Sequence, residues 1–158
     1  MLFVTEPPPA PDHLAVLSLY QGGWKTRIDD AASEFGPASH SEVDLKNDCW
    51  RFSRFFACQQ TVDGKPGGLV VFAWDDTAKV YRSWPIGAGA DPVHPGVMQI
   101  DGDTWIFPWE QPVDGKSMRL RVVNRFIDHN TIEYRKEVWR DAQGWTAIGR
   151  GVETRTGR

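Results

Sequence analysis

A chain of 158 residues and 17.9 kDa has the size of one compact domain, able to bury roughly two-thirds of the surface its unfolded chain would expose. A formal net charge of −3 and a sequence pI near 5.8 exclude a basic nucleic-acid footprint, and 25% charged residues is ordinary for a soluble surface. Aromatic residues make up 12% of the chain, with 8 Trp and 8 Phe beside 15 Gly, so the tryptophans are the compositional feature to explain.

The stretch Met1-Leu2-Phe3-Val4-Thr5-Glu6 before Pro7-Pro8-Pro9 has neither the basic flank nor the apolar length of a secretory signal. No apolar run elsewhere approaches the ~20 residues needed to span a bilayer. A cytoplasmic protein without membrane or nucleic-acid partners is expected. Residues 1–11, with Pro7, Pro8, Pro9, Pro11 and no apolar period, read as an extended leader, which leaves 12–158 as the folded domain. Asp12 then stands where it can cap a short helix over His13–Tyr20, with Leu14, Val16 and Leu17 on one side.

From Gly22 onward the chain consists of runs rich in Val, Ile, Phe, Trp and Thr separated by turn signals. Asp63-Gly64, Asp101-Gly102 and Asp114-Gly115 are hairpin dipeptides whose residues tolerate positive φ, and Asp75-Asp76, Asp128-His129-Asn130 and Asp141-Ala142-Gln143-Gly144 are weaker signals of the same kind. Strands are expected near 22–29, 37–47, 49–61, 67–75, 79–84, 95–100, 103–110, 116–127, 131–140 and 144–154. Long strands joined in sequence order by tight turns favour an all-β, up-and-down antiparallel barrel, since closure removes exposed edges. Cys49 and Cys58 fall in the single expected strand 49–61, where nine steps of about 3.3 Å hold them roughly 30 Å apart with side chains on opposite faces. Free thiols and a reducing compartment are therefore expected. The one long connection, 85–96, contains Gly87, Gly89 and Gly96 beside Pro85, Pro92 and Pro95, and offers a lid over a barrel mouth or an ordinary exposed loop.

Alternation assigns faces. In 49–61 the even set Trp50, Phe52, Arg54 and Phe56 is the more apolar, and 103–110 places Trp105, Phe107 and Trp109 together. In 116–127, Met118, Leu120, Val122, Asn124 and Phe126 oppose Arg119, Arg121 and Arg125, the cleanest inside/outside contrast in the chain. A turn centred on His129 would pair Asn124 with Tyr134 and Val122 with Lys136.

The segment Leu17-Ser18-Leu19-Tyr20-Gln21-Gly22-Gly23-Trp24 puts Gly-x-Trp at the start of the first strand, directly after the short helix. This resembles the opening signature of the lipocalin-like (calycin) barrels, and more closely a group of bacterial lipocalin-like domains of uncharacterised function that end in an Asp-x-x-Gly-Trp hairpin, as at Gly144-Trp145. The resemblance implies that Trp24 is a structural plug at the closed end, covered by a basic side chain from the last strand, Arg150 or Arg155. On this reading the chain departs from secreted lipocalins in lacking a signal, a disulfide and a helix after the last strand. It departs from nitrobindin-like haem barrels in following Trp24 with Lys25-Thr26-Arg27, and none of His13, His40, His94 and His129 takes an inward position late in the barrel.

Chemistry-bearing motifs are sparse. His40-Ser41-Glu42 offers two ligand types on one strand face but nothing completes a metal site, no nucleophilic triad has a local signature, and Gly87-Ala88-Gly89 precedes no helix that could hold a phosphate. No cofactor is expected. What remains is the inward set: Trp50, Phe52, Trp84, Trp105, Phe107 and Trp109 as cavity walls, with Arg54, Arg82, Asn124 and Tyr134 among them. A cation inside an apolar barrel requires a carboxylate. Arg54 and Arg82 either pair with Glu133 or Glu137, or point outward at a bulge, or receive the acidic head of a ligand whose apolar body the aromatics hold. The expected function is binding of a small, mostly apolar, acidic molecule in a barrel cavity. The alternatives are a cofactor-free enzyme using Tyr134, Glu133 or His94 as acid or base, and a solid-core interaction module or homodimer associating through Phe55, Phe72 and Trp74.

Overall fold

The computed structural model describes residues 9–87 and 94–158; the leader up to residue 8 and the middle of the 85–96 connection lie outside the described residues. A short 3-10 helix, Ala15–Tyr20, precedes ten strands: β1 (Gly22–Asp30), β2 (Ser39–Phe52), β3 (Phe55–Val62), β4 (Lys65–Asp75), β5 (Val80–Ile86), β6 (Gly96–Asp101), β7 (Thr104–Val113), β8 (Lys116–Asp128), β9 (Thr131–Arg140) and β10 (Gly144–Gly157). Each strand pairs antiparallel with the next, and β10 returns to β1, closing an all-β up-and-down barrel. No helix among the described residues is long and apolar enough to cross a membrane.

Local chemistry accounts for the turns. Asp63-Gly64 and Asp114-Gly115 take φ of 49° and 75° and of 49° and 77°, the left-handed pair that lets a two-residue turn match strand twist. Asp75 Oδ1 instead accepts the amides of Thr77 and Ala78, so a carboxylate organises the β4–β5 turn. Asp12 does organise the start of the helical segment, accepting the Leu14 amide at 3.2 Å, but it also receives Arg51 Nη1 at 2.8 Å on both oxygens. The segment is a 3-10 helix rather than an ordinary α-helix; at six residues it gains little from propagation and is held by the side chains it buries.

One element differs from the sequence expectation and carries others with it. The turn between the second and third strands lies at Ser53-Arg54, not near Asp48, and Ser53 takes φ 52° to make it. Cys49 and Cys58 therefore face each other across β2 and β3 as direct partners, with Cα atoms 4.0 Å apart, and form a disulfide. They are not free thiols, and the argument from free thiols to a reducing compartment falls with them. The Cys49 amide bonds Gln21 Oε1 rather than the ladder, consistent with the close, non-hydrogen-bonded type of antiparallel pair. The same turn reverses the facing of β2: Leu45, Asn47 and Cys49 point inward, while Trp50 is 46% and Phe52 71% exposed. Phe56, beyond the turn, keeps the expected inward position.

The core fills one end of the barrel. Trp24, fully buried, packs with Leu14, Leu17, Met98, Trp105, Phe126 and Ile132. Its Nε1 donates to the Tyr20 carbonyl at 3.1 Å, and the Arg155 guanidinium lies 4.1 Å above its ring. Arg155 also donates to the carbonyls of Leu19, Gln21 and His129, so one cation ties the helix, the first strand and the β8–β9 turn together. Arg155, not the exposed Arg150, is the basic cover of the plug. His13 stacks on Trp74 with ring centroids 3.9 Å apart, so Trp74 lies under the helical segment; with Phe72 also buried, Phe55, Phe72 and Trp74 do not form a surface patch.

The facing of β8 and β9 is as the alternation predicts: Asn124 pairs with Tyr134, and Val122 with Lys136. Leu120, Asn124 and Phe126 are buried, and Arg121 and Arg125 meet Glu137 and Glu133 on the outer surface at 2.6 and 3.1 Å.

Candidate functional site

The barrel is not packed solid. A cavity of about 550 Å³ extends from an end bordered by Gly67, Gly68, Ile86 and Gly87 to a floor made by Leu17 and Tyr20 of the 3-10 helix. Its walls are Leu69, Val70, Phe72 and Pro85 on one side and Trp105 and Phe107 on the other, with Cys58, Asn47, Gln60 and Ser83 adding sulfur and polar groups. The residues at the open end are small or exposed, Ile86 being 51% exposed, whereas Leu17 at the floor is 2% exposed. A volume in this range with mostly apolar walls and a few convergent polar groups is what a small-molecule site requires.

The polar groups are ordered by a directed chain of hydrogen bonds. Asn47 Nδ2 donates to the Tyr20 carbonyl at 3.2 Å, an unambiguous acceptor, so Asn47 Oδ1 must be the end that receives Gln60 Nε2 at 3.2 Å. The Tyr20 hydroxyl turns away from Asn47 and donates to Glu153 Oε2 at 3.0 Å. Glu153 is only 4% exposed; loss of hydration pushes its carboxyl up to about 6, the Tyr20 hydrogen bond working the other way. Burial, then the nearby Glu153 charge, raises the Tyr20 phenol well above its ordinary value. Burial, with Asp30 and Glu153 nearby, takes Tyr134 to about 12. Thr26 Oγ1, Asp30 Oδ1 and Asn124 Oδ1 are buried without a hydrogen-bond partner among the described residues.

These polar side chains occupy one wall. Thr26, Glu153, Ile132 and Phe126 are consecutive cross-strand partners over β1, β10, β9 and β8, and Tyr134, Asn124 and Trp105 form a parallel row over β9, β8 and β7. Directly paired residues share a face, so both rows face the interior with Trp105. A second, smaller cleft of about 230 Å³ lies beside the segment 31–38, bordered by Asp30, Phe35, Lys136 and Ile148.

Of the residues singled out from sequence, Trp105 and Phe107 border the main cavity. Asn124 and Tyr134 face the interior behind it, and Trp109 packs on the separate Leu120, Val138 and Ile148 cluster. Trp50 and Phe52 are outside for the hairpin reason given above. Arg54 sits in that hairpin turn, exposed, with its guanidinium 5.6 Å from the Phe55 ring. Arg82 pairs with Asp75 at 3.0 Å, and Trp84 partners Val71; both alternate with the inward Tyr81, Ser83 and Pro85, which puts them on the outer face. Neither arginine meets Glu133 or Glu137, which serve Arg125 and Arg121 outside. His94 is exposed. His40 bonds Asp29 at 2.6 Å and Glu42 holds Lys25 and Arg27, so neither is disposed toward a shared ligand.

Tyr20, Asn47, Gln60 and Glu153 escape the sequence reading. Asn47 and Gln60 are polar residues in strands whose facing depends on the misplaced turn, and the inward positions Gly151, Glu153 and Arg155 give β10 no apolar periodicity to read.

No family model matches the sequence, and no curated protein matches it. Among solved structures, Rv2717c from M. tuberculosis aligns over 94% of this chain and 99% of its own, with a TM-score of 0.50 and 12% identity. The S-type phycobiliprotein lyase CPES from Guillardia theta aligns over 90% of this chain and 93% of its own, with a TM-score of 0.51 and 12% identity. At such identity these likenesses show the fold alone, a closed up-and-down antiparallel β-barrel.

Proposed function

We propose that this protein binds a small, mostly apolar molecule inside its barrel, with Trp105, Phe107, Phe72, Val70 and Leu69 around the apolar body and Tyr20, Asn47 and Gln60 at the polar end. The observation that carries this reading is the cavity of about 550 Å³ reaching from an open end to the 3-10 helix. Burying an apolar ligand there contributes roughly 25 cal/mol per Å² removed from water, and the closed ladder spares the walls any need to supply backbone hydrogen bonds. Arg54 and Arg82, which would have favoured an acidic head group, lie on the outer surface and lend it no support. The lipocalin-like fold and the Gly-x-Trp plug are consistent with the same reading.

Titration with medium-chain alcohols and polycyclic aromatics, following tryptophan emission, tests it. The expected result is a saturable change arising from Trp105; unchanged emission across the panel contradicts the reading.

A further inference from the structure

The hydrogen bonds at the cavity floor all run one way. Gln60 spends an amide N–H on Asn47, Asn47 spends its own on the Tyr20 carbonyl, and Tyr20 spends its only hydroxyl proton on Glu153. Left without a partner at the floor among the described residues are the Gln60 Oε1 acceptor and the second N–H of each amide, while Tyr20 Oη keeps its lone pairs. Among the described residues that border the cavity, Ser83 adds a hydroxyl able to act in either sense and none is Lys, Arg or His. Directly behind Tyr20 stands the Glu153 carboxyl. It is 4% exposed, and no lysine or arginine pairs with it among the described residues, since the neighbouring Arg155 is committed to Trp24 and three backbone carbonyls. A buried carboxylate normally has a cationic partner, because its lost hydration is otherwise uncompensated. Asp30, the next acid along this interior wall, has Lys136 beside it in the smaller cleft, whereas Glu153 has no such neighbour.

We infer that the cavity selects ligands whose polar end donates hydrogen bonds, an alkyl or aryl amine in its ammonium form above all, over acids with the same apolar body. The donor would bond Tyr20 Oη and Gln60 Oε1, with Glu153 supplying the opposite charge one hydrogen bond further back. This rests on the cavity being the ligand site, and it reverses the acidic preference expected from Arg54 and Arg82. At neutral pH Glu153, whose carboxyl titrates near 6, is mostly ionised and its charge is available.

Calorimetric titration with decylamine, decanol and decanoate below their micellar concentrations, at pH 7.5, separates the possibilities. Decylamine is expected to bind about tenfold or more tighter than decanoate, with decanol between them. In Glu153→Gln, a nearly isosteric change that keeps an acceptor for Tyr20, the amine-to-acid ratio is expected to fall below about threefold while decanol affinity holds within about twofold. A preference arising from the overall charge of −3 would survive that substitution and would overturn the inference. Decanoate binding as tightly as decylamine to the unaltered protein would overturn it without recourse to any variant, leaving the cavity reading intact. Absence of binding by all three overturns both.

Discussion

Glu153 is where a single residue's chemistry is most exposed to measurement. Its carboxyl is raised from 4.5 to about 6, first by burial, in surroundings that include the Tyr20 hydroxyl, Tyr134, Asp30 and the committed Arg155. A raised acid favours the folded state fully below the unfolded value of 4.5 and loses that contribution as pH climbs through 6. The loss is about 2 kcal/mol. Glu153→Gln is therefore expected to gain on the unaltered protein by that order between pH 4.5 and 7, the two converging below 4.5. Urea melts across the range read this out, and a constant difference would contradict it. Nothing in the sequence marked Glu153, because an acid in a strand is ordinarily a surface residue and its inward neighbours are Gly151 and Arg155. Trp24 was legible through resemblance: Gly-x-Trp directly after a short helix resembles the opening of the lipocalin-like barrels, which implies a plug at the closed end. Of its two candidate covers, geometry selects Arg155, 4.1 Å over the ring.

At the scale of elements, seven of the nine strand-to-strand connections lie where Asx-containing turns or the long 85–96 loop put them, since those signals state their own backbone conformation. The β2–β3 turn at Ser53-Arg54 carries no Asx-Gly signature, so the break expected between 47 and 49 stood in its place. A displaced turn changes the strand parity, so Trp50 and Phe52 exchange faces with Asn47 and Cys49 and two apparently distant cysteines become partners. The β8–β9 pairing escaped this error because Arg119, Arg121 and Arg125 alternate with Leu120, Val122 and Asn124 over enough residues to fix the face. The Cys49–Cys58 disulfide closes a short loop, and constraining the unfolded chain by this much is worth about 2–3 kcal/mol. Denaturant melts with and without a thiol reductant are expected to differ by that amount. Intact mass should sit about two daltons below the dithiol form. A protein that alkylates fully without reductant would contradict the bridge.

At the scale of the whole molecule, the barrel divides its interior along its axis. The end beneath Ala15–Tyr20 is plugged by Trp24, Leu17, Met98 and Ile132, and the space above it is bordered at its other end by Gly67, Gly68 and Gly87. Closure was legible from strand length and turn spacing; the cavity was not, since whether inward residues meet depends on volumes and rotamers that periodicity does not encode. Only Trp105 and Phe107 of the sequence-derived set border it. The tryptophan excess is thus mostly architecture: Trp24 plugs, Trp74 supports His13, Trp139 and Trp145 receive Arg119, and Trp105 alone presents a ring to the cavity. That cavity is the proposed binding site. Val70→Trp, which places an indole in the space between Phe72 and Phe107, tests this most directly when titrated with decanol beside the unaltered protein. One saturable site is expected in the unaltered protein, with a loss of affinity of about tenfold or more in Val70→Trp and the fold retained. Equal binding by both proteins would place the ligand outside the barrel and contradict it.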